Sequence, residues 1–465
     1  MCHGPLFRKI LLFALPLLLT NILQLLFHAA DLIVVGRFAS YEAMAAIGCT
    51  SSMNNLCLNV FIAISIGTNV LVSRYFGAQD SGNIRKTVHT SLAFSFFGGL
   101  ILMTVVLFAA KPLLVLMGTP ETILPKSCKY IWICFSAVPF IMVYNFGCAV
   151  LRAVGDTKRP FLFLVIAGIV NVVLNLILVI VFGLDVEGVA IATAISHVIA
   201  AGLIVRTLCK SDGDIKLYFK SLRIDPVILK EMLWIGIPAG VQSSCFSVSN
   251  MLIQSSINFF GPVAIAGMTA AFGLEAIVYI AAYASHFTAI SFVSQNLGGQ
   301  HYKRILKSMG YCYLFTLMGT VTLGYLFLFF GRTLLAFYNP DPAVIEWGMI
   351  RLKILLTTYC FCGFMDTASG GLRGLGYSLV STVISLSGAC LFRIFWVVFV
   401  FPKHKTMECL MISYPVSWAL TACIGTTVFL LLYRRIVRKR CARFVEWSKY
   451  GPGIPRGYRH YGNPR

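Results

Sequence analysis

One carboxyl group stands out in a chain otherwise poor in charge. Asp31 lies within the apolar run 10–35. A charge at the centre of a bilayer costs several kcal/mol, about 3 on insertion scales. An ionisable group kept there points to chemistry in which a proton or a cation is taken up and released. The plainer reading is a structural hydrogen bond near the end of the run. His28 is three residues earlier, so both side chains share a helix face. Its imidazole either shares the proton or packs as a polar residue. Asn171, Asn175 and Thr193 are polar positions in two later apolar runs. Asn171 and Asn175 are four apart and share a face, where they line a pocket or tie the two runs together. The second half holds Glu275, Lys353, Asp366 and Arg393 within or beside apolar runs, with Arg351 nearer a run end. Buried opposite charges must pair. These four are therefore expected to form one network, either a structural ion cluster or a second coupling or substrate site. Glu275 and Asp366 are its first candidates for testing.

Other chemistries find no support. There is no HExxH, no GxSxG elbow, no CxxC pair and no Gly-rich phosphate loop. The fifteen cysteines have no regular spacing, and Cys134, Cys148 and Cys245 sit in apolar runs. A thiol there behaves as a small hydrophobe. The expectation is a protein that is not an enzyme, with no metal, no cofactor and no disulfide framework.

The elements that must carry these residues follow from composition. Of 465 residues, 58% are hydrophobic and 12% charged, with mean hydropathy +0.83. The charged fraction is about half that of soluble domains. A bilayer span needs about 20 apolar residues. Spans are expected near 10–35, 45–73, 88–110, 128–150, 161–183 and 188–209, then near 232–259, 264–294, 307–331, 344–369, 378–401 and 409–433. The runs are long and lack period-two alternation, so they are helices rather than barrel strands. The first apolar run reads as a span and not as a signal peptide. Many of the aromatic residues, 13% of the chain, belong to packing and interfacial belts. Others suit a cavity for flat organic cations.

The net charge of +21 is distributed by side. Arg8, Lys9, Arg74, Arg85, Lys86, Arg152, Lys158, Arg159, the 206–230 segment, Lys303, Arg304, Lys307 and the tail from Arg434 fall on one face. Arg37, Lys111, Lys126, Lys129, Arg332, Lys403 and Lys405 fall on the other, with Asp185, Glu187, Asp341 and Glu346 among them. The richer face is expected in the cytoplasm, with both termini there and an even number of spans. The basic tail reads as an orientation signal in contact with anionic membrane lipid, not as a nucleic-acid site.

The halves also repeat at an offset of about 220 residues. LRAVG at 151–155 recurs as LRGLG at 372–376, and SRYFGAQDSGNIRK at 73–86 recurs loosely as SQNLGGQHYKRILK at 294–307. AMAAIG at 43–48 resembles AIAGMTA at 264–270, and Pro16 matches Pro238. The expected organisation is a six-helix lobe over 1–209, a cytoplasmic connector over 210–231, a second six-helix lobe over 232–433 and a basic tail over 434–465. Repeats of this kind place substrate sites near midplane and alternate access by rocking. The fold class is thus an all-α integral membrane protein of about twelve transmembrane helices in two pseudo-symmetric lobes.

Several segments, in order, resemble a known family. They are Pro16 and Asn21, the run Phe27-His28-Ala29-Ala30-Asp31 with Gly36, Gly77-Ala78 with Asp80, LRAVGDTKRP at 151–160, NVVLN at 171–175 and FGLDVEGVAIAT at 182–193. In the second half they are QNLG at 295–298, LRGLG at 372–376 and RIFW at 393–396. Together they resemble bacterial multidrug and toxic compound extrusion (MATE) transporters over essentially the whole chain. The resemblance implies a twelve-helix antiporter with two lobes around a V-shaped cavity. It implies a small organic cation or amphipathic drug as substrate, expelled from the cell across the plasma membrane in exchange for protons or sodium, by a monomer. It makes Asp31 the coupling group, Asn171, Asn175 and Thr193 its partners, and Pro16 a point where the first span bends on protonation. Relatives often carry a second aspartate where this chain has Asn175, and tyrosine and asparagine where it has Phe27 and His28. The loss of one carboxylate favours single-site proton coupling over a carboxylate-pair sodium site. A flippase for a lipid-linked saccharide, from the same wider superfamily, is the alternative. Such proteins carry a positively charged cavity, and basic residues at mid-membrane depth are few here.

Overall fold

In lipid a backbone satisfies its polar groups internally, and a helix does so within one segment. The long apolar runs obey this rule. The computed structural model describes residues 1–38, 40–116 and 119–448, and these are helical with short connections and no strand. The basic tail beyond 448 lies outside the described residues.

The first lobe contains α1 (Leu6–Phe38), α2 (Tyr41–Gly77), α3 (Ser81–Leu116), α4 (Leu124–Ser136), α5 (Val138–Val154), α6 (Lys158–Leu176) and α7 (Val186–Lys210). Helices α4 and α5 form one span bent by 43°, where the expectation was an unbroken helix over 128–150. The break falls at Ala137, beside Pro139, which supplies no N–H and restricts the residue before it. Helix α6 ends in a π turn at Ile177–Val181.

The second lobe contains α8 (Pro226–Asn258), α9 (Pro262–Gly298), α10 (Tyr302–Phe329), the short α11 (Gly331–Tyr338) and α12 (Pro342–Gly374). One further span runs from Ser378 to His404 through α13 (Ser378–Ser385), α14 (Phe392–Phe395) and α15 (Phe401–His404), with π turns between them. Helix α16 (Met407–Ser448) closes the lobe and carries the RRIVRKR run as helix. Ten described helices are long and apolar enough to span, eleven with the bent pair. Helix α8 is the twelfth long element, 33 residues including Gln242, Ser249 and Gln254. Its polar residues lower its hydropathy, and it packs against α2 of the other lobe through Gly236 and Gly240.

The connector between α7 and α8 is shorter than 210–231, and it is tied down. The Tyr218 N–H donates to His89 Nε2 at 3.1 Å, and Ser81 Oγ donates to Asp214 at 2.6 Å. Asp225 caps α8 by accepting from the N–H groups of Val227 and Ile228.

Buried apolar residues divide by depth. One core joins both lobes through α1, α2, α8 and α9, and includes the edge-to-face pair Phe13–Phe292 at 5.5 Å. At the opposite membrane face each lobe has its own core, around Val35, Ala46 and Val189 in the first and around Leu274, Leu352 and Met411 in the second. The lobes therefore meet at one end and part toward the other. Reciprocal contacts seal the shared end. A Cβ on Gly77 would stand 1.9 Å from the Gln295 carbonyl oxygen, and one on Gly298 1.9 Å from the Arg74 carbonyl oxygen. Only glycine lets these backbones touch. Ser73 Oγ donates to the Ala153 carbonyl at 3.4 Å, and Ser294 Oγ donates to the Gly374 carbonyl at 3.1 Å. All four pairs of equivalent positions, 73 with 294, 74 with 295, 77 with 298 and 153 with 374, keep one sequence interval. The repeat is thus a two-fold arrangement in space. Two bonds cross between lobes here, from Ser291 Oγ to Asn69 Oδ1 at 3.0 Å and from Gln295 Nε2 to the Ala153 carbonyl at 3.2 Å.

Candidate functional site

Helices α1 and α6 run in parallel, and one small residue sets their register. The Phe27 ring fills the space where a Cβ on Gly168 would sit, 1.7 Å from Phe27 Cε2. One turn beyond Phe27 on α1 and two turns beyond Gly168 on α6, Asp31 meets Asn175. Asn175 Nδ2 donates to Asp31 Oδ1 at 2.5 Å and stands 3.4 Å from Asn171 Oδ1. Asn171 Nδ2 in turn donates to Thr193 Oγ1 on α7 at 3.4 Å. The four sequence-derived residues therefore form one chain of polar contacts across three helices. Asp31 is half-buried, and Asn171 and Asn175 are buried.

Among the described residues no Lys, Arg or His pairs with Asp31. Asn175 Oδ1 is buried without a hydrogen-bond donor. Amide groups offer both donors and acceptors, so this site can hold a carboxylate or a neutral carboxylic acid. Tyr130 and Cys134, four apart on α4, stand close enough to feel the Asp31 charge. Sequence reasoning missed both; their shared helix face was the available signal.

His28 does not join this chain. It is exposed and makes no side-chain hydrogen bond to Asp31, because Phe27 rather than His28 keys into α6. Pro16 lies inside a continuous α1, where Thr20 Oγ1 donates to its carbonyl at 2.7 Å.

At the end of the same lobe away from the shared core a polar clasp joins three connections. Lys126 Nζ lies 2.7 Å from Glu42 Oε2, 2.8 Å from Asp185 Oδ2 and 3.0 Å from Ser40 Oγ. The Ser40 N–H and hydroxyl also donate to Asp185 at 2.9 and 2.7 Å. Partial burial works against the Asp185 charge, but the bonds from Lys126 and Ser40 outweigh it and hold its carboxyl below the ordinary 3.8.

The second lobe corrects the expected four-membered network. Glu275 pairs with Arg351, which is buried rather than near a span end. Their contacts are 2.7 Å from Nη2 and 2.9 Å from Nε, with Tyr359 donating to the other carboxylate oxygen at 3.4 Å. Arg393 takes a different partner set. Its guanidinium sits 4.2 Å from the Tyr414 ring centroid and 5.8 Å from that of Trp418, and Nε donates to Ser417 Oγ at 3.0 Å. Lys353 is exposed and makes no ion pair among the described residues. It falls on the opposite face of α12 from Arg351 and Leu355, which excludes it from the network. Asp366 forms no ion pair either, and lies beside Tyr279 and Arg373. Its backbone carbonyl accepts from His286 Nδ1 at 2.7 Å. Arg373 Nη1 donates to His286 Nε2 at 3.3 Å and Nη2 to Gln242 Oε1 at 2.9 Å. The Nδ1-protonated tautomer satisfies both neighbours. Sequence reasoning used Arg373 only as a marker of the repeat.

Comparison with known proteins agrees with this architecture. The MatE family model matches residues 16–177 and again 238–399, one match in each lobe, beginning at Pro16 and at Pro238. The chain is 27% identical to the probable multidrug resistance protein YoeA of Bacillus subtilis (strain 168) over 453 residues, covering 94% of this chain and 96% of that one. It is 24% identical over 386 residues to the probable multidrug resistance protein NorM of Thermotoga maritima, covering 81% of this chain and 82% of that one. A MATE crystal structure in the straight conformation superposes with a TM-score of 0.87 at 19% identity, covering 94% of this chain and 98% of that one. Twin family matches on two lobes, a whole-length fold and a membrane-embedded carboxyl site together place this chain in the MatE family of multi-pass membrane transporters, which are not enzymes.

Proposed function

We propose that the protein exports organic cations and amphipathic drugs in exchange for protons, with Asp31 as the coupling group. The observation that carries this reading is the unpaired carboxyl held by an amide whose own oxygen lacks a donor. As a carboxylate, Asp31 accepts from Asn175 Nδ2. As a carboxylic acid, its O–H donates to Asn175 Oδ1 after a turn of the amide about its last bond. That turn carries Nδ2 away from Asn171, and the change passes along to Thr193 on α7. Protonation also removes the negative charge that attracts a cationic substrate. Proton entry and cation departure are thereby linked. The linkage drives transport only if the proton binds the two conformations unequally.

The basic loops support placing both termini in the cytoplasm. The Gly77–Gly298 seal then closes the cytoplasmic side, and the separated cores flank an outward mouth. The names of the relatives, multidrug resistance proteins, support drug-like substrates. The protein is expected to act as a monomer and to need no cofactor besides the coupling ion.

The test is efflux of a fluorescent organic cation from proteoliposomes, with a pH gradient and a sodium gradient imposed separately. Transport driven by the pH gradient alone supports the reading. Transport driven only by sodium replaces the proton, and transport driven by neither removes the exporter assignment.

A further inference from the structure

Helices α6 and α7 carry cations at one membrane face and bare apolar stripes beyond them. Arg159, Phe163, Leu203, Arg206, Thr207 and Lys210 line an open cavity of about 410 Å³ between the two helices. Arg159 pairs with Asp156 in the turn that precedes α6, Nε to Oδ2 at 3.2 Å. Arg206 and Lys210 make no side-chain ion pair or hydrogen bond with protein among the described residues. Deeper along the same helix faces, Ile166 and Ile169 on α6 and Ile195 and Val198 on α7 remain more than a third exposed. Gly202, one turn below Arg206, notches the groove, since a Cβ there would meet no atom within 4 Å. The surface therefore changes from cationic to apolar along one continuous track, in the order in which a lipid changes from headgroup to acyl chain.

We propose that this groove binds one anionic phospholipid. Its phosphate is met by Arg206 and Lys210, with the remaining N–H groups of Arg159 completing the contact. One acyl chain lies past Phe163 and Leu203 along the apolar stripe. Charge complementarity and the amphipathic lining select this occupant, because a free phosphate has no use for the stripe and a zwitterionic headgroup offers its own ammonium to the cations. The same two helices carry Asn171, Asn175 and Thr193 about 18 Å further along, 12 residues from Arg159 to Asn171 at about 1.5 Å each. A bound lipid thus braces the helix pair that holds the partners of Asp31. This inference stands whichever ion drives transport.

The experiment uses the full chain purified in detergent and mixed with equal amounts of phosphatidylglycerol and phosphatidylcholine. Retained lipid is counted by native mass spectrometry. Phosphatidylglycerol is expected to be preferred about thirtyfold, the contribution of two uncovered surface cations. Arg206→Gln combined with Lys210→Gln should reduce the preference to about twofold or less. Lys303→Gln combined with Lys307→Gln, on the exposed face of α10, should keep it. Matching elution volumes for all three proteins exclude misfolding as the cause. Equal retention of the two lipids by the wild type, or an unchanged preference in the Arg206/Lys210 variant, overturns the proposal. So does displacement of the lipid by millimolar inorganic phosphate alone, which would mark a free-anion site.

Discussion

Two carboxyls on one repeated scaffold, Asp31 in the first lobe and Glu275 in the second, meet opposite kinds of partner. In the first, Asp31 is held by amides and has no cation partner among the described residues. In the second, Glu275 is locked to Arg351, and Arg393 is boxed by Tyr414, Trp418 and Ser417. A carboxylate facing a fixed guanidinium keeps its charge, because giving it up would strand a buried cation. A carboxylate facing an amide can exchange its proton, because the amide serves either form. Pseudo-symmetry therefore supplies two frames, and the partners decide which carboxyl can cycle.

Substitutions can break this contrast. Asp31→Asn should have the largest effect, reducing gradient-driven efflux to the level of protein-free vesicles while leaving thermal stability within about 1 kcal/mol of wild type. A variant that still couples would move the coupling group elsewhere. Glu275→Gln should show the reverse pattern. Orphaning Arg351 costs about 3–5 kcal/mol of stability, readable as a lower melting midpoint in detergent. Adding Arg351→Met should recover most of the loss, and recovered efflux with it would assign the pair to structure. If the double variant is stable yet inactive, the second lobe shares in coupling.

The seal offers a smaller and more selective handle. Gly298→Ala forces a methyl group against the Arg74 carbonyl, at a cost of about 1–3 kcal/mol to the closed form. The population should move about fivefold or more toward the open form. Spin labels at Gly82 and Lys303 would report it as a longer distance, and Gly77→Ala should act alike if the two-fold relation holds. An unchanged distance in both variants would separate the seal from the rocking motion.

The smallest effect belongs to the clasp. The Asp185 carboxyl sits below its ordinary 3.8, so its contribution is present above that pH and is lost as the pH falls below it. Asp185→Asn should lower stability by about 0.2–1 kcal/mol across neutral pH and flatten only the acid limb of the melting curve.

How much of this was legible beforehand depends on range. Spans, side-to-side charge bias and the repeat came from local composition, as did Asp31 as an ionisable outlier. The bend at Ala137 lay hidden because the apolar run continues across it, although Pro139 was in view. His28 misled because helical spacing gives a shared face without saying which neighbour keys into the next helix. Arg351 and Lys353 are two residues apart, so α12 turns them to opposite faces, and only packing says which face is buried.

The sequence by itself determined that the chain crosses a membrane as two repeated helical halves, because apolar run length and periodic recurrence are properties of the string. The tertiary structure alone decided who meets whom. Gly168 on α6, and Gly267 and Gly348 between α9 and α12, permit approaches that no spacing rule announces, and those approaches accompany the meeting of Asp31 with an amide and of Glu275 with a guanidinium. A charge that must stay and a charge that can leave differ in their neighbours, and neighbours from distant segments are fixed only when the helices pack.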